Sequence, residues 1–120
     1  MKVGQSIWLC KRLYENGEGI IVYDEPKEYI LGLNYLTINQ ASGYIATLRY
    51  GEQISKVWSM KAKRPIFDGI FAEGDVMYVD GASPDLKNPQ YINGDGANAL
   101  ITECMPILVS YSIALQRIEP

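Results

Sequence analysis

Two cysteines, Cys10 and Cys104, fourteen carboxylates and no histidine are what this 120-residue chain offers for bond-making chemistry. A hydroxyl or thiol nucleophile needs a base that works near neutral pH, and imidazole is the usual one. Without it, neither a Ser-His-Asp nor a Cys-His arrangement can be assembled from this chain. The cysteines show no C-x-x-C spacing and have no histidine to complete a zinc set. Both lie in apolar, strand-like runs and read as buried free thiols. If the first and last strands are neighbours the two could be close, though a reducing cytosol would leave them unpaired. Two carboxylates could in principle form a hydrolase site. Asp24, Glu25, Asp68, Glu73, Asp85 and Asp95 fall instead in segments whose turn chemistry explains them. The run Asn93-Gly94-Asp95-Gly96-Ala97-Asn98 is oxygen-rich but lacks the spacing of a calcium loop, so it reads as a tight turn feeding a strand. Gly17 and Gly19 give a short G-x-G inside a turn, not a phosphate-binding loop. The expectation is a protein with no catalytic residue, no metal and no cofactor.

Side chains suited to contact are more plentiful. There are nine tyrosines and two tryptophans, residues that pair an apolar ring with a polar tip and are enriched at interfaces. If the strands alternate regularly, Trp8, Tyr14, Trp58 and Tyr91 do not all fit inside one core. The net charge of −3 argues against sequence-independent nucleic-acid binding, which needs a basic surface. A local cationic run, Lys56, Lys61, Lys63 and Arg64, reads either as a solvated strand face or as a contact for an acidic partner.

The elements that must position these residues follow from alternation and punctuation. Residues 6–14 read as a strand, with Ile7, Leu9 and Leu13 on one face and Trp8, Cys10, Arg12 and Tyr14 on the other. Asn16-Gly17-Glu18-Gly19 turns the chain into a short strand over 20–23, which Pro26 closes off. Residues 28–39 read as one strand with a bulge or bend near Asn34. Residues 41–51 read as a short helix between Ser42 and Gly51, with a β excursion as the alternative. Strands over 52–63 and 75–80 flank an apolar connection anchored by Ile66, Phe67, Ile70 and Phe71. Residues 81–96 are a long Gly/Pro/Asp/Asn-rich loop, a length often associated with function or mobility. A final hairpin over 97–105 and 108–118 is centred on Pro106, with Val109, Tyr111, Ile113 and Leu115 sharing a face. The predicted fold is mainly β, a small antiparallel barrel or sandwich of six to seven strands with one short helix. It forms one domain over 1–120. No apolar run reaches signal-peptide or membrane-spanning length, which reads as a chain that is cytosolic at synthesis.

The order of these segments resembles the small head-closure (head–tail connector, or stopper) proteins of tailed phages and prophages. The resemblance rests on the opening strand Ile7-Trp8-Leu9-Cys10-Lys11-Arg12, the Tyr-x-x-Pro segment Tyr23-Asp24-Glu25-Pro26 and a strand with Asn34 at its centre. It continues through Leu48-Arg49-Tyr50-Gly51, the Gly-Asp-x-x-Tyr strand from Gly74 to Tyr78, the stretch from Asn93 to Ala99 and the closing hairpin. It implies a small β-barrel with an inserted loop or helix that forms a ring beneath the portal. The ring seals the DNA-filled head and offers the tail a docking surface. The implied partners are portal or adaptor proteins, tail-completion proteins and further copies of the chain. The free protein would be monomeric, and DNA would pass through without specific binding. The implied location is the virion, or the host cytoplasm before assembly. No catalytic residue is carried over. The candidate contact residues are Trp8, Tyr14, Tyr44, Arg49, Trp58, Lys61, Lys63, Arg64, Asp85 and Tyr91, with loop 81–96 and segment 41–51 ordering on assembly. The alternatives are another virion or tail-completion module, a minor capsid β module, or a cellular small-barrel domain that binds a peptide or oligonucleotide.

Overall fold

The computed structural model describes residues 1–40 and 56–118, so the helix expected over 41–51 lies outside the described residues. Among the described residues nine strands are formed: β1 Ser6–Cys10, β2 Arg12–Glu15, β3 Ile21–Tyr23, β4 Lys27–Ile30, β5 Leu36–Gln40, β6 Val57–Lys63, β7 Val76–Tyr78, β8 Ala99–Ile107 and β9 Ser110–Arg117. Seven make one antiparallel sheet in the order β4-β1-β7-β8-β9-β6-β5, and β2 and β3 pair separately as a small hairpin. The mainly-β fold expected from alternation is the fold adopted. The longest strands are the ones with the cleanest pattern: β9 turns Ile113 and Leu115 inward and pairs with β6 from Val57↔Gln116 to Lys63↔Ser110.

The sheet is open but strongly curled. Laid flat, seven strands at about 4.8 Å spacing would span roughly 29 Å. The two edge strands are nevertheless consecutive in sequence: β4 ends at Ile30 and β5 begins at Leu36, a gap that extended chain bridges over no more than about 20 Å. The link is tighter still, because Gly32 donates to the Leu36 carbonyl at 2.9 Å and Leu36 donates back to Gly32 at 3.0 Å. The expected continuous strand over 28–39 is therefore two strands on opposite edges, joined by a turn. Gly32 permits the turn because the Tyr35 ring folds over the place where a Cβ would stand. The curl encloses the main core, which includes Ile7, Leu9, Leu36, Ile38, Met60, Met77, Ile101, Ile113 and Leu115, with Phe67 and Phe71 packed in from the 64–75 connection.

The expected first strand, 6–14, also divides, and Asp75 is the reason. Asp75 is 2% exposed. Its carboxylate accepts from Lys11 Nζ at 2.6 Å, from the Arg12 amide at 2.9 Å and from the Ala72 amide at 3.1 Å. Lys11 Nζ also donates to the Ile70 carbonyl at 2.6 Å. Turning Lys11 toward this site ends β1 and starts β2 at a new angle. A bulge between Arg12 and Tyr14 then resets the parity, so Leu13 leaves the face it was expected to share with Ile7 and Leu9.

The outer face of the sheet carries a second, smaller cluster of Cys10, Val76, Tyr78 and Ala97 with Trp8, Tyr23, Ala82 and Leu100 against it. Loop 81–96 covers this cluster and is better anchored than its composition suggests. The Gly94 amide donates to Tyr91 Oη at 3.3 Å, the two phenols of Tyr91 and Tyr78 lie 2.5 Å apart, and Tyr78 Oη donates to the Asp95 carbonyl at 2.5 Å. Burial and the Tyr91 hydroxyl both push the Tyr78 phenol's pKa upward, so it stays a donor. Asn98 spans Val79 with one bond to its amide and one to its carbonyl. Only the tip from Asp85 to Gln90 is exposed throughout.

Two outcomes test this account. Asp75→Ala removes the acceptor of two backbone amides and the partner of Lys11, and is expected to lower stability by about 3 kcal/mol, read as a fall in the urea midpoint. Lys11→Met, at a partly exposed partner that leaves both amides satisfied, costs less. Tyr78→Phe is expected to cost about 1–2 kcal/mol and to speed amide exchange from Tyr91 to Ala97. Exchange at the exposed 85–90 tip stays unchanged.

Candidate protein-docking interface

Two groups of exposed apolar side chains stand apart from both clusters, each carried by a hairpin. The first is built at the tip of the β8–β9 hairpin. Ile107 pairs with Ser110, leaving the two-residue turn Leu108-Val109. Such turns favour positive φ and are normally filled by Gly, Asn or Asp. Leu108 instead holds φ +50° and is 89% exposed, with Val109 at 73%. Backbone strain and apolar exposure thus fall on the same residue. The exit of β6 ties this tip to the β4–β5 turn: Arg64 donates to the Val109 carbonyl at 2.7 Å and Lys63 to the Tyr35 carbonyl at 2.8 Å. Leu33, 74% exposed, Tyr35 and Val109 consequently line a shallow groove of about 210 Å³ together with Lys61 and Lys63.

The charge of this groove is one-sided. Lys61 and Lys63 point outward because Met60 and Ala62 occupy the inward parity of β6. Neither lysine meets a carboxylate among the described residues. Arg64 is more constrained: its guanidinium lies 5.3 Å from the Tyr111 ring centroid and 3.5 Å from Asp68. Tyr111 donates to Asp68 at 2.6 Å, and that bond pushes the phenol's pKa up.

The second group lies on the β2–β3 hairpin. Asn16 shapes its turn, its side-chain oxygen accepting from the Glu18 and Ile20 amides. The hairpin stands off the main sheet and leaves an open cleft of about 600 Å³ beside Val76, Leu100 and Ile118. It exposes Leu13, Tyr14, Ile20 and Ile21, flanked by exposed Glu15, Glu18, Asp24 and Glu25. A lone two-stranded hairpin is marginal in water. This one is braced at its base, where Asn93 Nδ2 donates to the Tyr23 carbonyl at 3.3 Å and Gly94 lies against the Tyr23 ring.

The residues singled out from sequence divide accordingly. Lys61, Lys63 and Tyr14 are exposed on the two surfaces, and Arg64 is half-buried beside the first. Asp85 is exposed on the loop tip. Trp58 is not a surface residue: it is 6% exposed in the main core, with Arg117 over its ring at 4.7 Å. Strand parity puts it beside Met60 and Ala62, and the curl of the sheet makes room for the indole. Trp8 and Tyr91 are half-buried under and within the loop that covers the second cluster. Tyr44 and Arg49 lie outside the described residues. Leu33, Leu108, Val109, Ile20 and Ile21 were not singled out. The Leu108-Val109 turn lacks Gly, Asn and Asp, so propensity reads it as strand and places the bend at Pro106.

Neither surface gathers groups that make bonds. Among the described residues no three His, Cys, Asp or Glu side chains converge as a metal site. Cys10 and Cys104 are free, and burial pushes the Cys10 thiol up to about 11, so it stays protonated at neutral pH. What the surfaces offer is apolar area with lysines at the groove and a mostly acidic rim, Arg12 excepted, at the hairpin. No family model, curated protein or solved structure matches the chain.

Leu108→Asn places a residue that tolerates positive φ in the tip and removes an exposed apolar side chain. Its expected effect is a gain of about 1 kcal/mol in stability, seen as a higher urea midpoint. A residue conserving stability alone would not show that gain.

Proposed function

We propose that the chain is a structural subunit of a tailed-phage or prophage particle that joins the portal of the DNA-filled head to the tail, one copy of a ring at the head–tail joint. The observation that carries this reading is that large exposed apolar side chains gather on two separate hairpins at the surface, with single ones elsewhere at Val3, Ile66, Leu86 and Ile92. A subunit that must meet unlike neighbours on different sides needs more than one such surface. A small-molecule enzyme would concentrate apolar lining in a pocket. The segment order shared with head-closure proteins supports the same assignment, as does a curled β body with projecting turns.

The acidic balance of the chain, −3 overall, suits a channel through which DNA moves without sticking. On this reading portal or adaptor protein meets one end of the subunit and a tail-completion protein the other. Candidate docking elements are the β8–β9 tip and the exposed 85–90 loop tip.

The test is electron microscopy of purified portal particles mixed with the protein. The expected result is added ring density beneath the portal. No added density at saturating protein overturns the reading.

A further inference from the structure

We infer that the β2–β3 hairpin of one copy seats in the lysine-flanked groove of the next, a head-to-tail contact between identical chains. The two surfaces complement each other in both respects that matter. Each presents aliphatic and aromatic side chains that folding leaves in water: Leu13, Tyr14 and Ile20 on the hairpin, Leu33, Tyr35 and Val109 in the groove. Their rims carry opposite charge. The hairpin's exposed rim carries four carboxylates, Glu15, Glu18, Asp24 and Glu25, against one cation, Arg12. The groove is lined by Lys61 and Lys63, and no carboxylate lines it. Opposite rims steer encounter and set register, while the apolar centre holds the contact once water leaves.

A second copy fits better than an unrelated acidic protein because the chain itself carries the matching element. Made once between two copies, the contact is heterologous: it leaves a free hairpin on one partner and a free groove on the other. Repetition then gives a ring if the rotation closes and an open filament if it does not. One hairpin on one shallow groove falls at the small end of protein interfaces, below about 1,200 Å². The contact is therefore weak in isolation and strong only when a template holds neighbours side by side. The inference deepens the ring assignment but stands on charge and apolar exposure alone.

Two charge-reversed variants test it. The first, Glu15→Lys with Glu18→Lys, has a basic hairpin and a basic groove. The second, Lys61→Glu with Lys63→Glu, has an acidic hairpin and an acidic groove. All four positions are exposed, and circular dichroism checks that both variants fold. Sedimentation at millimolar protein and carbodiimide cross-linking with peptide mass spectrometry read the association. Wild type is expected to give intermolecular cross-links between Glu15 or Glu18 and Lys61 or Lys63. Each variant alone is expected to associate about tenfold or more weakly. An equimolar mixture recovers association, because every hairpin then meets a groove of opposite charge on the other variant. A general loss of stability could not produce that recovery. A wild-type chain that stays monomeric overturns the contact, and so does a mixture no better than its components. An acidic peptide from another protein captured by the groove, with no self-association, gives the groove a different occupant and also overturns it. The portal experiment reports separately: ring density unaffected by both variants leaves the joint assignment standing without this contact.

Discussion

The molecule is held together along a three-residue strand. β7 joins β1 on one side to β8 on the other through five ladder pairs, with Val76 and Met77 pairing on both sides. In the sheet, β4 and β1 hang on one flank and the β8-β9-β6-β5 block on the other. So short a ladder cannot hold two halves in register by itself, and Asp75, the residue just before it, makes up the difference. Its carboxylate reaches back to Lys11 and Arg12 after β1, and its backbone meets Ile101 of β8. A buried carboxylate is costly unless fully partnered, and its near-complete satisfaction defines where the chain leaves β1 and how the β2–β3 hairpin departs. The Tyr78–Tyr91–Asp95 chain of hydrogen bonds does the same work at the other end of β7, from the outer face.

That arrangement explains why the leftover apolar surface sits where it does. The curled interior is filled by residues from all seven strands and by Phe67 and Phe71. The outer face near β7 is filled by the covering loop. The two hairpins extend past both clusters and, among the described residues, have no third layer to pack on. Their apolar side chains are solvent-facing because the fold has run out of partners for them, and at Leu108 the turn adds a backbone conformation that asparagine or glycine would hold with less strain.

Much of the fold was legible in the sequence. The final hairpin, the inward parity of Ile113 and Leu115, the turn at Asn16 and the outward parity of Lys61 and Lys63 all follow from period-two alternation and turn chemistry. What local pattern could not supply were the tertiary causes. Residues 28–39 read as one strand with a bulge or bend near Asn34 because most of them suit a strand; that the chain crosses between sheet edges there depends on the curl. Lys11 carries no visible role in the sequence because its partner lies 64 residues away. Trp58 read as a surface aromatic because parity alone does not say how deep the concave side is. Loop 81–96 read as loosely held because the bonds from Tyr78 to Tyr91 and Asp95, and those between Asn98 and Val79 at its base, span 13 to 19 residues. Of the docking surface, the lysines and Tyr14 were visible, but the apolar tip was disguised by a turn without turn residues.

The same curl has a consequence for solubility. An open sheet normally leaves two bare borders that invite endless backbone pairing between molecules, the route to gels and fibrils. In this chain the borders are drawn together at Gly32 and Leu36. β4 shows Lys27 and Glu28 to solvent. The stretch of β8 beyond its short pairing with β7 contains Pro106, which has no amide hydrogen to donate. With backbone zippering blunted in this way, crowding many copies together is left to side-chain contacts, which are reversible and can be tuned residue by residue.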